Sequence, residues 1–557
     1  MNILSLSPTH DSSVCVLVDG KLEFYCKEER ITRIKKDIMP YASLALCLEK
    51  FKNKIDHFAY APSVYEYDVS DRFHKSVYKM FTPTRYKQLI NQNFQQPFNV
   101  THHVHHAMLS YVNSRFDDAL VFVIDRNGSA ISIENHDVAR ETESVYRFNK
   151  NGFRDLEKSY AINQGVSEKH KVKNKLKDLY GNADVIINVN NTLGIVKVYE
   201  AATTLIGQHP LENGKTMGLS AYGQYSGDDK LFIGSVADEQ KFTYVNDYIA
   251  DGVTCFVDDS DLITYRISES NYSHYANRAK QVQIETQEQV LNLIKKHVDK
   301  TGIKNVCLVG GYALNVVANN YYIKNLPDVN FYFEPNSDDS GVGIGAAMHH
   351  YFMLTGKMAQ PLENNFYHYF DETEQISVGD ASDIDSLVDL LIAGKSLAIF
   401  QGNPEAGPRA LGNRSILFDP RIKDAKKIVN QIKKREWYRP FAGVIIKSDF
   451  KEYFDNLGLE ESPHMTINFD AKEKTKELVP GIIHVDGTCR IQTVQSGFLF
   501  ELLSKFKEKT GCPMLLNTSF NLAGEPLVQT KKDAVETFLN SSLDAVYFVD
   551  DDKLIVK

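Results

Sequence analysis

Seven residues, Ala119–Asp125 (ALVFVID), are apolar through Ile124 and end on a carboxylate. A strand with one wet face alternates apolar and polar residues, whereas an unbroken apolar run is covered on both faces. Such a strand restricts the chain to layered architectures in which helices pack over a sheet. Other segments agree. ILSLS (Ile3–Ser7), SVCVLVDG (Ser13–Gly20) and the start of KLEFYCKEER (Lys21–Arg30) are strand-like, and Asp19-Gly20 is a hairpin signal. VCLVGG (Val306–Gly311) and NFYFEP (Asn330–Pro335) are further buried strands, and QEQVLNLIKKHVDK (Gln287–Lys300) has a helical period. This interleaving predicts an α/β protein. The polar, aperiodic stretch Lys357–Ser386 predicts a seam between two domains, 1–356 and 357–557. No repeat with a period of roughly 20–50 residues is visible.

Of the 557 residues, 43% are apolar and 24% charged, which excludes a disordered chain. A net charge of -9 disfavours bulk attraction to nucleic acid. The lysine-rich segments Ser167–Asp178 and Lys423–Glu436 then read as solvated helix faces. The seven cysteines are scattered without a Cys-x-x-Cys pair, which suits a reducing compartment. No apolar run approaches the roughly 20 residues of a membrane helix. MNILSLSPTHDSS has neither the charged nor the apolar region of a signal peptide. A soluble cytoplasmic protein without a membrane partner is expected.

Four features in the first half carry chemistry. THHVHHAM (Thr101–Met108) holds four of the seventeen histidines. Residues three or four apart share a helix face, so His102/His106, His102/His105 and His103/His106 are all possible ligand pairs. On a helical wheel Val104, Met108, Tyr111 and Val112 form the inward stripe, His105 borders it, and His102 and His106 lie together away from it. A surface histidine cluster is the competing reading. Asp125 ends a buried strand, where α/β sheets place ligands, although helix caps also sit there. In SDDSGVGIGAA (Ser337–Ala347), Asp338 or Asp339 can supply a further ligand, and the glycines would let backbone N–H groups approach an anion. LVGGYALN (Leu308–Asn315) is a strand–Gly-Gly–helix junction suited to a nucleotide. Two histidines and two aspartates suit Fe, Mn or Zn better than Mg.

The second half is rich in cations. GPRALGNRSILFDPR (Gly407–Arg421) sets Arg409, Arg414 and Arg421 among small residues, a pattern for gripping phosphate. KKREWYRPFAG adds Lys433, Lys434, Arg435 and Arg439, and HVDGTCRIQTV adds Arg490. LLNTSFNLAGEP follows a strand with Asn517, Thr518, Ser519 and Asn521. These clusters predict a compact site for small phosphorylated ligands.

With these motifs in view, the sequence resembles the O-carbamoyltransferases of the nodulation-protein and antibiotic-tailoring type. The resemblance runs in order through HDSS (His10–Ser13), KEERITRIK (Lys27–Lys35), HHVHHA, Asp125, GKTMGLSAYG (Gly214–Gly223), GGYALN, DDSGVGIGAA, GPRALGNRSIL, KKREWYRPFA, DGTCRIQT and NTSFNLAGEP. It implies an actin/Hsp70-like first domain and a smaller α/β domain resembling the threonylcarbamoyl-adenylate synthase fold. It further implies that the second domain makes carbamoyl-adenylate from carbamoyl phosphate and ATP, and that a hydroxyl in the first domain takes the carbamoyl group as AMP leaves.

Carried onto this sequence, the resemblance makes His102, His106, Asp125 and Asp339 the metal ligands, with Fe(II) as the ion and Mg as a further candidate cofactor. It places carbamoyl phosphate and ATP at Arg409, Arg414, Lys433, Arg439, Arg490, Asn517 and Ser519. Adenylate in the first domain falls to Lys215, Gly310, Gly311 and Asn315. His10 and Lys35 line the acceptor side, His10 as a base. The family usually has Asp-Gly-x-Gly at the strand end, where this chain has Asp125-Arg126-Asn127-Gly128. The acceptor expected is a small-molecule alcohol, with a nucleotide or DNA hydroxymethyl group as the other candidate. Competing readings are an actin-like-fold sugar kinase and an inactive binding module related to tRNA modification.

Overall fold

The computed structural model describes residues 1–51, 54–61, 101–132, 138–162, 173–174, 176–178, 180–181, 184–190, 194–227, 230–233, 243–244, 267, 270–366, 376 and 378–557. Most of the lysine-rich segment 167–178, and Cys255, lie outside the described residues. Two compact units are present. One comprises Met1–Glu28, Lys36–Leu314 and Asn325–Glu363; the other comprises Glu29–Lys35, Asn315–Lys324 and Asn364–Lys557.

In the first unit, strands Asn2–Ser7, Ser13–Val18 and Lys21–Lys27 form an antiparallel meander, and His57–Tyr60 runs parallel to the first of them. Asp19 and Gly20 have φ of 49° and 81°, the two positive values a tight two-residue hairpin turn requires. A second sheet repeats the plan. Asp118–Ile124, Val138–Asn149 and Gly152–Ile162 form a meander, and Asn305–Val309 lies parallel to Asp118–Ile124 on its free side. Asn330–Phe333 extends this parallel edge, and Ile186–Asn190 extends the other. This duplicated meander-plus-parallel-strand order is that of the actin/Hsp70-like fold. The duplication is one of topology, which is why no sequence repeat betrays it.

Leu120 through Ile124 are fully buried, as an unbroken apolar strand demands. Helix His102–Ser114 packs on this sheet, and helix Asp339–Thr355 packs between that helix and the first sheet. Their approach is very close. A Cβ on Gly345 would lie 1.9 Å from the His105 carbonyl oxygen, and one on Gly341 would lie 2.1 Å from that of Asn336. The glycines of SDDSGVGIGAA therefore lie inside a helix and admit neighbouring backbone, rather than forming an anion-binding loop as the sequence predicts.

The second unit holds an eight-stranded mixed sheet in the order Asn468–Asp470, Thr488–Val494, Ala442–Ile446, Met514–Ser519, Arg414–Phe418, Leu397–Phe400, Ala545–Phe548, Lys553–Val556. Phe400, Ile416, Phe520, Val528, Phe538 and Phe548 form its core on one face. No helix among the described residues is long and apolar enough to cross a membrane.

Candidate functional site

Three elements converge on one buried point in the first unit. Asp125 follows the last residue of strand Asp118–Ile124 and is held by the Gly311 N–H, which donates to its Oδ1 at 3.0 Å. Gly310 must be glycine, because its φ is 88° and a Cβ would meet the Ile124 carbonyl oxygen at 2.5 Å. The Gly-Gly junction thus positions a carboxylate. His102 and His106 stand one turn apart on the histidine helix, with ring centroids 4.8 Å apart. Asp339 opens the facing helix. One ligand atom from each of His102, His106, Asp125 and Asp339 lies within 4.8 Å of the others.

The spacing is that of groups sharing a centre rather than bonding one another. His102 Nε2 stands 3.4 Å from Asp339 Oδ1 and 3.7 Å from Asp125 Oδ2, and His106 Nε2 stands 3.6 Å from Asp339 Oδ1. His106 is fully buried, yet neither ring nitrogen makes a hydrogen bond. Burial pushes the Asp339 carboxyl up, but the neighbouring charges of His102 and His10 outweigh that and hold it well below the usual carboxylate range. An ionised carboxylate beside unsatisfied imidazole nitrogens fits a first-row divalent ion, two nitrogen and two oxygen donors.

The surface-histidine reading fails, because all four histidines of THHVHHAM are at most 1% exposed. His103 hydrogen-bonds Ser144 Oγ through Nδ1 at 2.7 Å, and His105 stacks toward His349. Burial holds both well below the usual histidine range, so both are neutral. Asp338 and Asp339 also part company. Asp338 caps the helix, accepting from the Ser340 N–H at 3.2 Å, and pairs with buried Lys27 Nζ at 3.0 Å. Only Asp339 faces the histidines.

His10 lies at the edge of this cluster, Nδ1 3.4 Å from Asp339 Oδ2 and Nε2 3.2 Å from Asp11 Oδ2. Burial, reinforced by Asp338, pushes Asp11 up to about 6. Arg126, which replaces the usual glycine, turns its Nε to buried Glu200 at 2.9 Å, and Lys197 shares that carboxylate at 3.2 Å. The residues expected to hold adenylate are engaged locally: Lys215 pairs with Glu212 at 2.6 Å, and Asn315 accepts the Ala318 N–H at 3.1 Å at the head of helix Val316–Asn325, within the second unit.

In the second unit the three arginines of GPRALGNRSILFDPR do different work. Arg414 is fully buried, stacks on Phe400 at 3.5 Å and donates to the carbonyls of Gln401, Gly402, Asn413 and Gln529. It ties the start of this interior strand to the loops around it, which corrects its assignment to the phosphate site. Arg421 pairs with Asp419 through Nη2 at 2.7 Å. Arg409 stands on a loop that sequence reasoning gave no anchor. That anchor is Glu405, fully buried, whose Oε1 accepts the N–H groups of Leu411, Asn413 and Arg414.

Asn517 is also internal: its Nδ2 donates to Gln492 Oε1 at 2.9 Å. Lys433, 4% exposed, donates to the backbone and side-chain oxygens of Ser519 and Asn521. Arg435 and Arg439 lie near it, and Arg490 lies near those two arginines. Burial and mutual repulsion hold Lys433 and Arg435 well below their usual ranges. Burial, with Arg439 adding to it, lowers Arg490 to about 10. Lys426, missed because it reads as a solvated helix face, is pushed down to about 8 by burial and Arg435. So many cations held at a cost to their own protonation make a ready place for a polyanion.

Comparison with known proteins accords with both units. The carbamoyltransferase N-terminus model matches residues 2–348 and the carbamoyltransferase C-terminus model matches residues 388–556. Nodulation protein NolNO of Sinorhizobium fredii is 29% identical over 591 aligned residues, covering 98% of this chain and 79% of its own length. Nodulation protein NolO of Bradyrhizobium diazoefficiens is 28% identical, covering 80% of this chain and 77% of its own. Among solved structures, full-length HypF in its phosphate- and nucleotide-bound form is similar with a TM-score of 0.36 at 12% identity, covering 64% of this chain and 56% of its own. With both halves matched in order across nearly all of its length, the chain belongs to the carbamoyltransferase family and is a carbamoyltransferase.

Proposed function

We propose that this protein is an ATP-dependent O-carbamoyltransferase that makes carbamoyl-adenylate in the second unit and transfers the carbamoyl group to a hydroxyl of a small-molecule acceptor in the first. The observation that carries the reading is the convergence of His102, His106, Asp125 and Asp339 beside His10, in a chain whose second unit concentrates Lys426, Lys433, Arg435, Arg439 and Arg490. Those cations would hold phosphoryl groups, with Arg409, on the loop that Glu405 fastens, as a further partner.

In the transfer step the acceptor oxygen bonds to the carbamoyl carbon, the carbon–oxygen bond to the adenylate phosphate breaks, and AMP leaves with the electron pair. His10 takes the hydroxyl proton on Nε2, turned from Asp11 to the acceptor, while Asp339 at Nδ1 stabilises the imidazolium that forms. His102, His106, Asp125 and Asp339 would hold a divalent ion, Fe(II) by resemblance, which when bound supplies Lewis-acid chemistry. The net charge of -9 favours a small alcohol over DNA as the acceptor. The test is incubation with ATP and carbamoyl phosphate, followed by phosphorus NMR. Pyrophosphate that appears only when carbamoyl phosphate is present is the expected result; its absence sinks the reading.

A further inference from the structure

We infer that the buried ion pair Lys158–Glu141 positions the metal ligands: through Ser129 it ties the loop that begins at Asp125 to the first turn of the helix that carries His102 and His106. This rests on the reading of those residues and Asp339 as a metal site. Both side chains of the pair are fully buried, and Lys158 Nζ donates to Glu141 Oε1 at 2.9 Å. Lys158 also donates to the Tyr146 hydroxyl and stands 3.4 Å from Asp155 Oδ1. Burial pulls the Lys158 ammonium down, but Glu141 and Tyr146 outweigh it and hold the group well above the usual lysine range. Desolvating two charges costs about as much as their attraction returns, so stability alone does not account for such a pair between neighbouring strands. Its use lies with the other carboxylate oxygen.

Glu141 Oε2 accepts the Ser129 N–H at 3.1 Å, and Ser129 Oγ in turn accepts the His102 N–H at 3.1 Å. The first N–H groups of a helix have no partner within it and need a cap. Thr101, at the N-cap position, makes no capping hydrogen bond with its side chain, and a serine 27 residues from His102 supplies one. That serine closes the Asp125–Ser129 loop, which is fixed to the Glu141 strand at both ends. The Asp125 N–H donates to the Thr142 carbonyl at 3.4 Å, the Gly128 N–H to that of Glu141 at 2.8 Å, and the Glu141 N–H to that of Ser129 at 3.2 Å. The loop that starts on one metal ligand therefore caps the helix that starts on another, and Glu141 grips the joint. A charged acceptor makes a stronger hydrogen bond than a neutral one, and Lys158 supplies the counter-charge that makes burying it tolerable. Lys158, Glu141 and Ser129 are thus positioning residues that act through His102 and Asp125.

The test is the cobalt(II) affinity of the full chain, measured by competition with a chromophoric chelator well below Tm; the visible spectrum of the bound ion reports the ligand geometry. Lys158→Met and Ser129→Ala are each expected to weaken binding about tenfold and to shift the spectrum. Ser129→Thr, which keeps the hydroxyl, should restore most of the affinity. Leu44→Ala opens a cavity under helix Tyr41–Phe51 and shows what lost stability alone does, a lower Tm with wild-type affinity. Wild-type affinity and spectrum in either Lys158→Met or Ser129→Ala overturn the inference. If Lys158→Met does not fold, the isosteric Glu141→Gln takes its place under the same criterion. If wild type binds no cobalt, the metal-site reading fails instead. Hydrogen exchange of the metal-free chain then decides for the pair: exchange of the His102 N–H about tenfold faster in Lys158→Met or Glu141→Gln supports it, and equal exchange overturns it.

Discussion

Four consecutive-looking histidines have three different environments, set by which face of one helix each occupies. His102 and His106 face Asp125 and Asp339, His103 faces Ser144, and His105 faces His349. Removing a ligand leaves three donors and a cavity, whereas removing His105 takes a neutral ring from a packed contact. Metal analysis of purified variants should find His106→Ala and His102→Ala essentially metal-free and His105→Ala retaining most of its metal. If His105→Ala loses metal as fully as His106→Ala, the assignment of ligand faces is wrong.

At the scale of elements, the site depends on how closely two helices approach. The Gly345 position allows the aspartate helix to touch the His105 backbone, and Lys27 and Ser340 fix its first turn through Asp338. Substitution Gly345→Ala forces a methyl group into 1.9 Å of carbonyl oxygen, which backbone can relieve only by moving the helices apart. The cost expected from overpacking is about 2–3 kcal/mol. Urea denaturation should show that loss, and metal content should fall with it because Asp339 moves away from the histidines. An alanine variant with wild-type stability and full metal content would refute this account of the packing.

Across the whole first unit, buried neutral histidines make the fold sensitive to acid. Burial lowers His349 and His350 to about 4 each; His105 faces the first and His57 the second. Their pKa in the unfolded chain is near the ordinary histidine value of 6.5. Between these values the unfolded state binds protons the native state refuses, so stability rises with pH through that window and is lost as pH falls. Each histidine contributes a slope of up to about 1.4 kcal/mol per pH unit. Urea unfolding followed from neutral pH down to about 5 should show falling stability, and His349→Gln should flatten the fall. An unchanged slope in that variant would place the acid sensitivity elsewhere.

Much of this was legible one residue at a time. Unbroken apolar runs announced the central strands, Asp19-Gly20 the hairpin, and the i, i+4 spacing the two histidines that share a face. What stayed open were questions of direction. Asp338 and Asp339 are adjacent and chemically identical, and only the fold turns one to Lys27 and the other to the histidines. Arg409 and Arg414 read alike in sequence, yet Arg414 is inward on a central strand and collects carbonyl groups. Glu405 and Lys426 carried no local signal, because their importance comes from how the chain folds around them: Glu405 gathers the N–H groups of the loop that follows it, and Lys426 is buried near Arg435. The sequence by itself determined the α/β class, the family and the set of residue types brought to the site, since periodicity and motif order are local properties. Only the tertiary structure decided which member of each pair faces the centre and which cations hold loops, because side-chain direction and saturation of hydrogen bonds depend on neighbours hundreds of residues away.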